Sequence, residues 1–568
     1  MKRCPTCNRA EPDDALAFCR ADGTPLVRVA DEDAGTIRLG TSSAGDAGGA
    51  RAADAPTTRL GTRAPAGNAR RLAQPTARRG ALVAALLLCA ALAAGAYLYV
   101  SRGKGGAAKN SVAVLPFQNA SGDPDMEYLS DGITENLINR LSQLPNVRVI
   151  ARGTMFRFKG RDADAQSVGK QLGVDAVLTG RIVQRGDSLT VQADLVNVSD
   201  GTQAWGEQYS RKLNDIEALQ GEIARDVSNG LRAKLSGAQE RQLTKGETAS
   251  PEAYQLYLRG RYYWNKRTEE NVRKGVELFQ QAIDKDPNFA LAYVGIADSY
   301  HLLSIPDALT GAMPPDEAVP KARDAAERAL AIDPTLAEAH ASLAQVEYIS
   351  GDWAGAEDGL RHSIELNPNY ANAHHWYALN LASLGRDDEA LREINRALEL
   401  DPLSLPINTN VAFVLFMARR YDEAAEKCRK ALDMDSTFAL AHKRLALVYE
   451  QKGMYREAVA EFRQAADGSD DHPNALAGLA HALALSGDKP GARKLLDDLT
   501  RLSARRYVSS YDLAVVYCGL GEKEDAFRAL DRAVEQHDFA AWLKKDPRLD
   551  PLRDDPRFAE LLRRVGLN

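Results

Sequence analysis

The sequence of 568 residues predicts a multidomain protein with a single transmembrane helix, then an α/β domain, then an all-α solenoid. Three observations support this fold class. Residues 80–100 contain no charged side chain, residues 111–238 combine short apolar runs with amphipathic stripes, and residues 253–538 follow a thirty-four-residue period. A period of this length is typical of helical hairpins that bury their apolar faces by stacking.

The first 26 residues predict a small metal-binding head. Cys4 and Cys7 form a CxxC turn, and Cys19 and Asp22 follow after a short loop. Two such pairs can supply a tetrahedral zinc site to a segment that is too short for its own core. The segment resembles bacterial mini zinc ribbons, with Asp22 where those have a fourth cysteine. We expect zinc at these four residues; the alternative is a lost site in a reduced, flexible stub.

Residues 27–79 are rich in Ala, Gly, Thr, Arg and Asp and predict a disordered cytoplasmic linker. The linker contains one short internal repeat: Thr36–Thr41 and Thr57–Thr62 are identical at five of six positions. One interpretation is a docking or threonine-phosphorylation motif for a cytoplasmic partner, because a phosphate would add strong charge there. The alternative is chance or duplication in a biased segment.

Residues 80–100 predict one membrane span, since about 1.5 Å of rise per residue makes this run match a bilayer core. Arg78 and Arg79 precede the run, and Arg102 and Lys104 follow it. More positive residues lie on the N-terminal side, which predicts a cytoplasmic N-terminus. We expect a single-pass protein of a bacterial inner membrane with periplasmic or extracellular C-terminal domains. The alternative is a buried helix of a soluble core.

Residues 111–238 predict an α/β domain. Ser111–Phe117 is an apolar run that ends in turn residues, and apolar residues from Leu129 to Leu144 recur at helical spacing. Gly186–Leu189 spells a hydrolase motif, but it falls in a predicted hairpin turn. A serine hydrolase needs a histidine near its nucleophile, and residues 111–238 contain none.

Five stretches of this domain make a resemblance specific: residues 113–117, 128–137, 172–180, 205–211 and 215–224. They are similar to the TolB-like domain of bacterial membrane-anchored regulators. That resemblance implies a domain between one membrane span and tetratricopeptide repeats, with a cytoplasmic winged helix, cyclase or kinase. The sequence contains no signature of those cytoplasmic domains, such as a Gly-rich phosphate loop, HRD or DFG.

The solenoid is predicted by prolines at thirty-four-residue intervals, Pro334, Pro368 and Pro402, with Ser436 in the next register. Small residues recur where paired helices would cross, as in tetratricopeptide repeats. We expect eight units over residues 253–538 and capping helices over 539–568. By resemblance to this family, five residues would line a partner-binding groove: Tyr348, His375, Phe413, Phe416 and Lys443. The alternative for each is repeat packing or a solvated face.

These features predict a membrane-anchored, non-enzymatic scaffold whose TolB-like and repeat domains recruit proteins or peptides. The alternative is a one-component signalling or transcription-regulatory protein that acts through the zinc-ribbon-like head. Nucleic acid is not an expected ligand, since the net charge is −6 and the head has no stripe of basic and aromatic residues. No catalytic constellation is evident.

Overall fold

The computed structural model describes residues 110–567, except 145, 162, 234, 306–311, 468–471 and 539, and three short strands near the N-terminus. These strands are β1 (Lys2–Arg3), β2 (Ala10–Glu11) and β3 (Val27–Arg28), and they form an antiparallel sheet in the order β2-β1-β3. The protein divides into two compact units, Met1–Ala94 and Gly95–Asn568. The predicted zinc ligands and both threonine motifs lie outside the described residues.

The predicted transmembrane helix must be corrected. Among the residues that the structure describes, no helix is both long and apolar enough to cross a bilayer. The longest of them, Pro315–Ile332, has eighteen residues, seven of them charged, and charged side chains are costly in a hydrocarbon core. The predicted span at residues 80–100 lies outside the described residues. The membrane-spanning fold class and the inner-membrane location with exported C-terminal domains are therefore both withdrawn.

The second unit begins with a mixed sheet. Its strands are β4 (Asn110–Val114), β5 (Gln118–Asn119), β6 (Val147–Val149), β7 (Ala176–Arg185), β8 (Ser188–Asn197) and β9 (Gln203–Lys212). The order is β6-β4-β7-β8-β9, with β5 beside β7. β4 runs parallel to β6 and β7, whereas β7, β8 and β9 form an antiparallel meander. Arg185 pairs with Ser188 around a two-residue turn in which Gly186 has φ 59°, so the hydrolase-like motif belongs to a hairpin.

Within the described part of this domain, five α-helices accompany the sheet: α1 (Glu127–Ser142), α2 (Arg152–Met155), α3 (Ala165–Leu172), α4 (Ile216–Gly230) and α5 (Gly237–Leu243). α1 is buried on both faces. Its apolar stripe belongs to the core of the sheet, and Gly132 on its other side lies against Leu258 of the first repeat. One continuous apolar core therefore joins the α/β domain to the first two repeats.

The residues from 251 to 535 form a helical solenoid, as predicted. Its helices are α6 (Pro251–Trp264), α7 (Glu269–Lys285), α8 (Ala290–Ser304), α9 (Pro315–Ile332), α10 (Ala337–Ser350), α11 (Trp353–Leu366), α12 (Ala371–Leu384), α13 (Asp387–Leu400), α14 (Leu405–Met417), α15 (Tyr421–Met434), α16 (Ala439–Gln451), α17 (Tyr455–Asp467), α18 (Pro473–Ser486), α19 (Lys489–Leu502), α20 (Ser510–Leu520) and α21 (Lys523–Glu535). They make eight consecutive hairpins in this part of the protein. The first helix of each hairpin carries many small residues that are fully buried, such as Ala344 and Ala378.

The C-terminal segment, residues 540–567, returns to the middle of the solenoid. It contains 3₁₀ turns at Ala540–Trp542 and Pro547–Leu552 and the helix α22 (Pro556–Arg564). Trp353 Nε1 of the third repeat donates a hydrogen bond to the carbonyl of Val565 at 2.7 Å. Lys545 Nζ lies 2.9 Å from a carboxylate oxygen of Asp387. In an open solenoid each repeat contacts only its neighbours, so these contacts close the array on itself.

The α/β domain also docks against the middle repeats. The amide of Ala151 donates to the carbonyl of Leu400 at 2.8 Å, and the amide of Leu403 donates to Thr154 Oγ1 at 2.7 Å. The side-chain amide of Asn369 lies within 3.2 Å of three carbonyl oxygens around the start of β6. The concave side of the solenoid is thus enclosed by other parts of the same polypeptide.

Candidate functional site

A cavity of about 910 Å³ lies inside this enclosure. Its walls come from the α/β domain, the repeats and the C-terminal segment. They include Glu135 and Arg152 from the first, Trp264, Arg267, His301, His375 and Trp376 from the second, and Trp542 from the third. This volume is in the range of cavities that hold small molecules or short peptide segments.

The link between α6 and α7 supplies one end of the cavity. Trp264 ends α6, and Thr268 begins α7 by accepting a hydrogen bond from the amide of Asn271 at 3.3 Å. Arg267, between them, has φ 58°, a left-handed conformation that few side chains adopt. Its guanidinium carbon lies 3.7 Å from the centre of the Trp264 ring. The turn therefore presents a cation, stacked on an indole, to the cavity.

Glu135 of α1 organises the charges beside this end. Its carboxylate accepts hydrogen bonds from Arg152 Nε at 2.8 Å, Arg261 Nη2 at 2.6 Å and Asn265 Nδ2 at 2.9 Å. Burial alone would raise the pKa of Glu135, but Arg261 and Arg152 outweigh it and lower the pKa. This cluster ties the α/β domain to the first repeat while keeping one ionised carboxylate between two guanidinium groups.

Other carboxyl groups in the wall have raised pKa values, so they ionise less readily. Burial raises the pKa of Glu338 to about 7 and that of Asp401 to about 6. Asp298 also has a raised pKa through burial, although Ser342 Oγ donates to it at 2.6 Å. The cavity wall therefore carries less negative charge at neutral pH than its composition suggests.

Two buried histidines in the wall are neutral. Burial lowers the pKa of His375 to about 4, and burial together with the nearby charge of Arg267 lowers the pKa of His301 to about 4. Asn410 Nδ2 donates to His375 Nε2 at 2.8 Å, which leaves the proton of this imidazole on Nδ1. The rings of His301 and Trp376 meet edge to face at 5.8 Å. Neither histidine therefore contributes a charge at neutral pH, and His375 accepts a hydrogen bond.

The structure places the five predicted groove residues differently from one another. Tyr348, His375 and Phe413 line the cavity, and Phe416 and Lys443 do not. Phe413 is 3% exposed and Phe416 is 2% exposed. Tyr348 makes a hydrogen bond with Ser383 Oγ at 3.0 Å. Lys443 is buried and donates a hydrogen bond to the side chain of Asn474.

Sequence reasoning missed the residues that come from outside the repeat register. Arg152 belongs to the α/β domain, Arg267 to a turn and Trp542 to the C-terminal segment, so the thirty-four-residue period contains no information about them. One signal was available for the turn. Residues 262–267 read YYWNKR, so three aromatic residues are separated from two cations by a single asparagine. Such a cluster at the end of a repeat helix favours a binding role over simple packing.

The metal prediction remains untested. The ligands predicted for zinc, Cys4, Cys7, Cys19 and Asp22, lie outside the described residues. Within the described part, no group of three or more His, Cys, Asp or Glu side chains could hold a metal ion. Cys428 and Cys518 are free and buried, and burial raises their thiol pKa values to about 12 and about 11. They do not form a disulfide with each other.

Comparisons with known proteins fit this architecture. Residues 378–437 and 451–509 match tetratricopeptide repeat families, and residues 108–225 match the family described as HilA/YgeH-like transcriptional regulator, second domain. The protein is 37% identical over 191 residues to a protein named "Putative adenylate cyclase 3" from Rhizobium meliloti (strain 1021), covering 34% of this sequence and 32% of that one.

The protein is also 23% identical over 288 residues to the transcriptional regulator HilA of Salmonella typhimurium, covering 50% of each. It thus spans between about a third and a half of the length of these curated relatives. A solved structure from a functional characterisation of Pseudomonas aeruginosa PilF is 20% identical, with 38% of this sequence and 94% of that one covered and a TM-score of 0.28. The resemblance of residues 111–238 to TolB-like domains stays a prediction. The protein contains tetratricopeptide repeats, preceded by an α/β region similar to the second domain of HilA/YgeH-like regulators.

Proposed function

We propose that this protein is a non-enzymatic regulatory scaffold that captures a segment of a protein partner in the central cavity. The observation that carries this proposal is the composition of the enclosure, whose walls combine the concave helices, the α/β domain and the C-terminal segment. A ligand in such a cavity contacts all three parts, so its binding changes how they hold together.

A peptide segment suits the wall chemistry. Trp376 and Tyr348 offer half-buried aromatic surface, which contributes contact area with little loss of side-chain entropy. The carboxamides of Asn139 and Asn372 also line the cavity. A carboxamide both donates and accepts hydrogen bonds, as a peptide backbone requires. Tetratricopeptide repeats are protein-interaction modules, and this fold is typically non-enzymatic.

A regulatory role is favoured by the α/β region. Its similarity covers residues 108–225 and is to the second domain of regulators of the HilA/YgeH type. In this proposal the α/β domain transmits the state of the cavity, because α1 lies between the sheet and the first repeat. The zinc-ribbon-like head would then be an output element, with Cys4, Cys7, Cys19 and Asp22 as its ligands. The threonine motifs at residues 36–41 and 57–62 would serve a second partner.

Site-specific photocrosslinking in the full-length protein tests the capture. A benzoylphenylalanine at Trp376 lies in the cavity wall, and one at Trp205 lies on the edge strand β9 at comparable burial. In cells that express the protein, we expect adducts with a discrete partner from position 376 and not from position 205. Mass spectrometry then identifies the captured segment. Equal labelling from both positions, or none from position 376, would contradict the proposal.

A further inference from the structure

The cavity contains a cation without a counterion among the described residues. Arg267 lines the cavity, and its side chain is exposed to that space although protein surrounds it on most sides. Trp264 supports one face of its guanidinium at 3.7 Å. No hydrogen bond or ion pair from this side chain to a described residue is present, whereas Arg273 on the next helix pairs with Glu269 at 2.9 Å.

The neighbouring guanidinium groups are paired with carboxylates of the protein. Arg152 and Arg261 share the single carboxylate of Glu135, and Arg261 lies 3.8 Å from Asp298. Arg152 and Arg261 therefore have carboxylate partners, whereas Arg267 has none at ion-pair distance among the described residues. Burial and the charges of Arg261 and Arg152 lower the pKa of Arg267 to about 10, so the cation remains protonated at neutral pH but is destabilised by its surroundings. An anion would relieve that cost.

Two further polar groups beside Arg267 lack partners among the residues that the structure describes. Trp264 Nε1 and His301 Nδ1 are buried and make no hydrogen bond there. Trp264 is 6% exposed and His301 is 9% exposed. Buried polar groups are normally satisfied, so these two groups leave unmet hydrogen-bonding capacity beside the cation.

We propose that Arg267 is the receptor for a carboxylate of the captured segment, an inference that rests on the proposed function. A carboxylate supplies a counterion for this cation, and its two oxygens match the paired N–H groups of a guanidinium. A phosphate dianion is less suitable, because Asp298 and Glu135 would face its second charge. The carboxylate comes from either the C-terminus of a polypeptide or the side group of an Asp or Glu residue.

Three small probes test this in the full-length protein. N-acetylphenylalanine has a terminal carboxylate, N-acetylphenylalaninamide has none, and N-acetylaspartylphenylalaninamide has only a side-chain carboxylate. Three of the five tryptophans line the cavity, so intrinsic fluorescence titration reports binding there directly. We expect at least one carboxylate probe to bind the wild type about tenfold more tightly than the neutral amide, as one ionic hydrogen-bonded pair of this type provides. Which of the two binds identifies the source of the carboxylate.

The variants are Arg267→Gln, Arg267→Lys and, as a matched control, Arg273→Gln. The preference for carboxylate should fall to near one in Arg267→Gln, remain in part in Arg267→Lys and be unchanged in Arg273→Gln. Circular dichroism melts show whether each variant is folded. If Arg267→Gln is not folded, Arg267→Lys, which keeps the positive charge, is compared with the wild type instead. Equal binding of all probes to the wild type, binding of none, or a preserved preference in Arg267→Gln would overturn the inference. Amide binding without carboxylate preference would overturn this inference alone and leave the capture proposal to the crosslinking experiment.

Discussion

The ring of Trp542, near the C-terminal end of the described residues, lies with its centre 5.0 Å from that of Phe413 on the fifth repeat. The guanidinium of Arg444 covers Phe413 from another side, at 3.8 Å from its ring centre. A residue that family resemblance places in a partner groove is therefore already covered by the protein itself. A partner that packs on the part of Phe413 now covered by Trp542 must first displace the C-terminal segment.

The double variant Phe413→Ala and Phe416→Ala should be strongly destabilised. Both rings are almost fully buried and packed against each other with centres 6.2 Å apart. Truncation of a buried phenylalanine costs about 3–5 kcal/mol because it leaves a cavity. Urea denaturation followed by circular dichroism measures the loss. Phe438→Ala provides the control, since Phe438 is only half-buried in the cavity wall, and its substitution should cost far less. If the double variant is as stable as the control, Phe413 and Phe416 do not belong to the core and are assigned to the partner-binding groove.

Thr154 is expected to anchor the α/β domain on the repeats. Its hydroxyl accepts from the amide of Leu403 at 2.7 Å, and its own amide donates to Asp401. A Cβ at the preceding Gly153 would collide with the Asp401 carboxylate, so the two segments are in close contact. Thr154→Val keeps the shape but leaves the Leu403 amide unsatisfied, at a cost of about 1–3 kcal/mol.

Hydrogen exchange of the Leu403 amide provides the measurement for that variant. We expect faster exchange at the α2 contact and unchanged exchange within the β7–β8 ladder. Thr179→Val is the matched control, because Thr179 makes only a 3.4 Å hydrogen bond on β7. Loss of protection throughout the α/β domain would show that Thr154 supports the fold of the domain rather than its docking.

The stability of the protein should fall as pH rises from about 4.5 to about 7, in part through Glu338. Burial raises the pKa of this carboxyl from 4.5 to about 7, so the folded state binds more protons than the unfolded state in that window. Unfolding therefore becomes more favourable with rising pH. The contribution is at most about 3.5 kcal/mol, since one pKa unit corresponds to about 1.4 kcal/mol.

Glu338→Gln, which cannot ionise, should flatten this part of the profile of unfolding free energy against pH. One carboxyl oxygen of Glu338 has no partner among the described residues, so a neutral carboxamide is well suited to the site. Glu399→Gln on the exposed face of α13 should leave the profile unchanged. If both variants follow the wild-type curve, ionisation of Glu338 does not control stability in this range.

The sequence alone determined the repeats and the hairpin of the sheet. Each repeat helix follows from small and apolar residues spaced within one thirty-four-residue unit, and the β7–β8 turn follows from Gly186 and its neighbours. These are local patterns, since the interacting residues are close in the sequence. The uncharged run at residues 80–100 is also a local pattern, and its interpretation as a membrane span was overturned.

Only the tertiary structure decided how the solenoid closes and what lies inside it. Trp353 and Val565 are 212 positions apart, and Thr154 meets Leu403 across 249 positions. Neither pair belongs to a repeating pattern, and each contact depends on the accumulated rotation of the hairpins between them. The same rotation brings the Arg267 turn, the α/β domain and Trp542 around one cavity. A periodic sequence specifies each step of a superhelix, but small differences between steps, summed over eight hairpins, decide which distant surfaces meet.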